Sequence, residues 1–113
     1  MSTPTGPAAL LRIYTHETAR QDHHPLYETV VLKAREAGLA GVTVLRGPMG
    51  YGRAKRLHNA NIIDLSADLP LVIEIVDAEA ALRAFLPTLT AMKDVGLITL
   101  EKVEVVHAPA DEK

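Results

Sequence analysis

The chain has no cysteine, which excludes disulfides, thiolate metal sites and thiol nucleophiles and leaves its compartment unconstrained by redox chemistry. Its only serines are Ser2 and Ser66, and neither stands in a nucleophile-elbow sequence. With no acid–base pair to set beside them, no catalytic residue is expected and the chain reads as a non-enzyme. There is no apolar run of the roughly eighteen residues that a membrane span requires. Met1 to Pro7 also lacks the charged start and apolar centre of a secretory signal. A soluble, cytoplasmic protein with no direct membrane insertion is the default expectation. Basic surplus is missing too: 12 Lys and Arg face 14 Asp and Glu, a formal net charge of −2, so nucleic acid is not an expected partner. One absence is local. Between Ala37 and Ile63 there is no acidic residue, while Arg46, Arg53, Lys55, Arg56 and His58 all fall there, making one segment cationic in an acidic chain.

What is present suits one small domain: 113 residues with 48% hydrophobic content can bury a core. Residues 1–8 and 108–113 are expected to be flexible tails around a domain of residues 9–107. Leu10 to Tyr14 is a short apolar strand, followed by a polar loop from Thr15 to His24. Pro25 opens a helix, with Leu26, Val30, Ala34 and Ala37 at near-helical spacing and Gly38 as its left-handed stop. Gly41 to Arg46 is a second strand. It runs into Gly47-Pro48-Met49-Gly50-Tyr51-Gly52, whose glycines and proline argue against regular structure. Asn61 to Leu65 reads as a short arm strand, and Leu71 to Val76 as a clear strand. A second helix is expected from about Ala78 to Asp94, with Leu82, Phe85, Leu86, Leu89 and Met92 on one face, a kink at Pro87 and Gly96 as terminator. The last strand spans Leu97 to Val106.

This order predicts an α+β, ferredoxin-like βαββαβ fold, with an antiparallel sheet and both helices on one face. The other face should be polar if it meets water. Yet Leu71 to Ile73, Ile75-Val76, Leu97-Ile98 and Val105-Val106 are apolar in both phases, so the free face calls for cover by another subunit.

Three features carry candidate chemistry. In Gly50-Tyr51-Gly52-Arg53 the glycines permit positive φ and close approach, and backbone N–H groups with Arg53 suit a phosphate or carboxylate. His16, His23 and His24, near Glu17 and Asp22, offer weak candidate ligands for Zn²⁺ or another divalent cation, although their spacing matches no metal motif. His58 and His107 are further histidines of the basic loop and the last strand's end. Glu74, alternating with apolar neighbours, is either a ligand contact or a residue on the strand's polar phase.

Gly38-Leu39-Ala40-Gly41-Val42-Thr43-Val44, Gly50-Tyr51-Gly52-Arg53, Leu69-Pro70 and Ile73-Glu74-Ile75-Val76 resemble the core of PII nitrogen-regulatory proteins. Leu11-Arg12-Ile13-Tyr14, Pro25-Leu26-Tyr27-Glu28, Ala34 to Gly41 and Leu45-Arg46-Gly47 resemble the PII-like branch called domain of unknown function 190. The likeness runs from Leu11 to Val106. It implies a homotrimeric sensor whose inter-subunit clefts hold a small anionic ligand, with an adenine nucleotide as candidate and no cofactor required. By position, Thr43, Gly50, Gly52, Arg53 and Glu74 are implied as ligand-binding, and Arg46 of the cationic segment is a further ligand-binding candidate. Residues 48–62 are implied as a T-loop that engages a partner such as a membrane channel or transporter, through Lys55, Arg56 and His58. Where PII proteins carry a Gly-Lys turn and terminal arginines, this chain has Lys93 to Leu97, Val105 and His107. A nucleotide with fewer phosphates, or another small anion, therefore fits as well as ATP. The alternative is a metal-binding or structural trimer using His16, His23 and His24, with no nucleotide.

Overall fold

The computed structural model describes residues 5–52 and 68–110, together with the backbone of residues 57–59. The elements in chain order are β1 (Gly6–His16), β2 (Arg20–Gln21), β3 (His24–Pro25), α1 (Leu26–Glu36), β4 (Thr43–Arg46), β5 (Met49–Tyr51), β6 (Leu57–Asn59), β7 (Pro70–Asp77), α2 (Glu79–Thr90) and β8 (Leu97–Val105). Strands β4, β7, β1 and β8, in that spatial order, form one sheet, and every pairing in it is antiparallel. With the two helices inserted, this is the expected α+β, ferredoxin-like βαββαβ arrangement.

The alternation of side chains along each strand decides which residues meet the helices. Ala9, Leu11 and Ile13 of β1 and Ile73 and Ile75 of β7 are fully buried. They pack with Leu26, Val30 and Ala34 of α1 and with Leu82, Phe85 and Leu89 of α2 in one core. Each Leu, Ile, Val or Phe side chain among them contributes about 1.5–3 kcal/mol on leaving water.

Local chemistry sets the element ends. Gly38 stops α1 as expected: at φ +79° its N–H donates to the Arg35 carbonyl, and the Leu39 N–H reaches back to Ala34, both at 3.1 Å, which closes the last turn. The second helix departs from expectation. It ends at Thr90, well before Gly96, and Gly96 instead makes the turn into β8 at φ +87°, where an added Cβ would lie 2.1 Å from the Tyr14 carbonyl oxygen. Pro87 stays inside α2, so the Arg83 carbonyl lacks its usual helical donor. β1 starts at Gly6 rather than Leu10 because its outer end pairs with β8 as far as Val105.

Two turns also differ from the sequence reading. The polar loop after β1 contains a small ribbon, β2–β3, whose central residues Asp22 and His23 both have positive φ, 50° and 72°. That is the twist a two-residue hairpin prefers. The glycine-rich stretch is not irregular either: Met49 to Tyr51 pairs with Leu57 to Asn59. Neither Gly50 nor Gly52 is among the residues at positive φ, so extended backbone suffices there. The expected arm strand Asn61 to Leu65 lies outside the described residues.

Candidate functional site

The register places three rows of side chains on the sheet face turned away from the helices. The first is apolar across all four strands: Leu45 opposes Val72, Val72 opposes Tyr14, and Tyr14 opposes Leu97. Three of these four are large and well exposed, Tyr14 at 40%, Leu45 at 48% and Leu97 at 64%. The second row is polar, Thr43–Glu74–Arg12–Thr99, and the third joins Val76, Leu10 and Glu101. Arg12 is the centre of this face. Its Nε donates to Glu74 Oε2 at 3.0 Å and its Nη1 to Glu101 Oε1 at 2.6 Å. The hydrogen bond to Glu74 raises the Arg12 pKa above its ordinary value; desolvation opposes this and Glu101 reinforces it. Glu74, read from the sequence as either a ligand contact or the polar phase of its strand, is thus the partner of Arg12.

A second polar cluster lies where β1 ends and the chain returns from residues 47–69. Glu17 Oε2 meets Arg46 Nη2 at 2.8 Å, while Glu17 Oε1 accepts the Leu69 N–H at 3.4 Å. The backbone adds Glu17 N–H to Leu69 O and Gly47 N–H to Pro70 O, both at 2.8 Å. Asp68 completes the cluster: Oδ1 accepts the Thr18 N–H at 3.0 Å and Oδ2 lies 3.0 Å from His16 Nδ1. Burial pushes the Asp68 carboxyl up, but the Thr18 amide and hydroxyl and the His16 ring outweigh it, so its pKa falls below the ordinary carboxylate value.

The predicted site residues are therefore divided. Thr43 and Glu74 are cross-strand neighbours on the open face. Arg46 belongs to the opposite phase of β4 and joins the cluster at the loop base. Gly50 lies over Pro70, whose Cγ an added Cβ would meet at 3.4 Å, while Gly52 is unconfined. His58 is opposite Gly50 in the ribbon backbone. Arg53, Lys55 and Arg56 lie outside the described residues. The three candidate metal histidines do not converge: His16 is bound to Asp68, and His23 and His24 sit on the β2–β3 ribbon. Among the described residues no group of three His, Asp or Glu is placed to hold a metal. No helix among them is long and apolar enough to cross a membrane.

Sequence reasoning missed Asp77 and Asp68, and noticed Glu17 only as a neighbour of the candidate metal histidines. Asp77 is buried and accepts the Ala78 N–H at 2.7 Å and the Ala40 N–H at 3.0 Å, tying the start of α2 to the connection before β4. An Asp just ahead of a helical pattern is a recognisable signal. The pairings of Glu17 and Asp68 had none, because their partners are remote in sequence.

Residues 8–105 match the model of the DUF190 family, described as "Uncharacterized ACR". A UPF0166 protein of Aquifex aeolicus is 41% identical over 98 residues, 87% of this chain and 92% of that protein. A UPF0166 protein of Methanocaldococcus jannaschii is 32% identical over 99 residues, 87% and 91% of the two chains. Among solved structures, CPII bound to ADP and bicarbonate, from Thiomonas intermedia K12, superposes with a TM-score of 0.56 at 21% identity, covering 89% of this chain and 90% of that one. This likeness shows the fold.

Proposed function

Since the chain belongs to the DUF190 family, and its fold is PII-like, we propose that it is a non-enzymatic, PII-like sensor. It binds a small anionic ligand between subunits of a homotrimer and signals to a partner protein through residues 48–62. The observation that carries this reading is the likeness over nearly the whole chain to CPII, a protein solved with ADP and bicarbonate.

Two features of this chain support it. The row Leu45–Val72–Tyr14–Leu97 leaves large apolar side chains exposed on one face, which a second copy covers at the least cost. The Arg12 ion pairs beside that row fix how copies meet, since a charge buried at an interface must keep its partners. The second feature is position: Thr43 and Arg46 lie on β4 and Glu74 on β7, the strands that flank residues 47–69, and Gly50 lies on β5 within that segment with Gly52 just after it. In this reading they and Arg53 face the ligand, and Lys55, Arg56 and His58 face the partner, a membrane channel or transporter being one candidate. The ligand is an adenine nucleotide or a simpler anion, and the protein works in the cytoplasm. The metal-binding alternative has no converging ligand set among the described residues to support it.

Calorimetric titration with AMP, ADP, ATP, cyclic nucleotides and bicarbonate, alongside sedimentation, tests the proposal. Saturable heat with at least one of these and a species three times the 12.2 kDa chain mass are expected. A monomer that binds none of them overturns it.

A further inference from the structure

The cluster at the loop base has an arrangement that ligand contact alone does not require. One carboxylate, that of Glu17, holds both limbs of the 47–69 segment: Oε2 takes the guanidinium of Arg46, at the outgoing limb, and Oε1 takes the Leu69 N–H, at the returning limb. The returning limb has a second, separate anchor in Asp68, held by the Thr18 N–H and His16. The outgoing limb has the Arg46 side chain and the neighbouring Gly47 N–H to Pro70 hydrogen bond. The two partners of the Arg46 ion pair differ in exposure. The Arg46 side chain is 58% exposed while that of Glu17 is 26%, so solvent anions reach the guanidinium more readily than cations reach the carboxylate. A guanidinium presents five N–H donors and binds carboxylate, bicarbonate and phosphate oxygens in the same planar geometry.

We infer that Glu17 is an internal stand-in for the anionic ligand: it occupies Arg46 in the free protein, and an incoming anion displaces it. This rests on the sensor reading above and assigns that site its switch. When Arg46 turns to the ligand, Glu17 keeps only Leu69, and the outgoing limb is left tied to the returning one by backbone alone, through the Gly47 N–H to Pro70 bond and the β4–β7 ladder. Asp68 still fastens the returning limb to β1, so release is confined to one side of the segment. The ligand thereby changes the limb that leads into the proposed partner-binding residues, at the modest cost of exchanging one exposed ion pair for another.

The test compares wild type with Glu17→Gln, which frees Arg46 but retains the amide oxygen for Leu69, and with Glu17→Gln/Arg46→Ala. Inorganic phosphate and bicarbonate are the probes, titrated by calorimetry; ADP is titrated separately. Glu17→Gln should bind a probe anion about threefold more tightly than wild type, the factor an exposed ion pair is worth, and the double variant should lose that gain. The Gly47 amide should exchange faster in Glu17→Gln, and in wild type at saturating phosphate, than in free wild type. Equal or weaker anion binding by Glu17→Gln, no binding of either probe to any variant, or an unchanged Gly47 amide overturns the inference. Failure of the sensor reading looks different: wild type sediments as a monomer and gives no heat with any nucleotide or with bicarbonate, while the Glu17→Gln gain for phosphate persists.

Discussion

The two faces of the sheet are built from the same strands and behave as different materials. Toward the helices, Leu11, Ile13, Ile73 and Ile75 are fully buried without a polar partner among them. On the other side the alternate residues of the same strands set an apolar row beside Arg12, Glu74 and Glu101. A dry face obtains its stability from area and packing alone. A face that carries ion pairs within apolar surface is suited to meeting a partner in one register. The difference teaches that near-continuous hydrophobic strands in this chain serve two purposes, folding the domain and, in the proposed assembly, presenting it to a second copy.

The largest test of that contrast is Leu11→Ala. On the helix face it should cost about 2–5 kcal/mol by leaving a cavity, measured by urea unfolding. Gly96 separates Val95, which faces the core, from Leu97, which is open to solvent. Gly96→Ala meets both a positive φ and the Tyr14 carbonyl, so it should destabilise by at least about 2 kcal/mol, again by urea unfolding; a smaller loss would mean that the turn can shift without disturbing β1.

Asp68 provides a pH test at the edge where the two faces end. Its carboxyl pKa is depressed in the fold, so its contribution is fully present above the ordinary carboxylate pKa and disappears as pH falls through the depressed value. A loss of about 1 kcal/mol is expected across that acid limb. It should be visible as faster exchange of the Thr18 amide, and Asp68→Asn should flatten it. The smallest effect on the fold belongs to the open face. Leu45→Lys should change subunit stability by less than about 0.5 kcal/mol, yet it should shift sedimentation toward the monomer. A full core-like loss of stability from Leu45→Lys would erase the distinction between the faces.

Much of the fold was legible because it depends on local pattern. Helix α1, its glycine stop, and strands β4, β7 and β8 follow from spacing, with Gly38 and Gly96 at turns. The ribbon β5–β6 was not, because glycine and proline content reports permissiveness, and cross-strand pairing supplied what propensity withheld. The site was legible in part. Glu74 stood out as an acid in an apolar strand, but its partner Arg12 lies 62 positions away. Arg46 stood out as a candidate ligand contact and Glu17 as a carboxylate near the histidines, but their pairing, and the role of Asp68, appear only when the β1–β7 ladder brings residues 16–18 against residues 68–70. The histidines mislead in the opposite sense: near one another in sequence, they part in the fold, His16 held by Asp68 at the end of β1 while His23 and His24 stay on the β2–β3 ribbon.

By itself the sequence determined the alternation of apolar residues, and with it a sheet covered by helices on one side, since period and hydrophobicity act over a few residues. Tertiary structure decided which charges meet. An ion pair needs contact within a few ångströms, and only strand register brings Arg12 to Glu74 and Glu101, and both limbs of the 47–69 segment to Glu17.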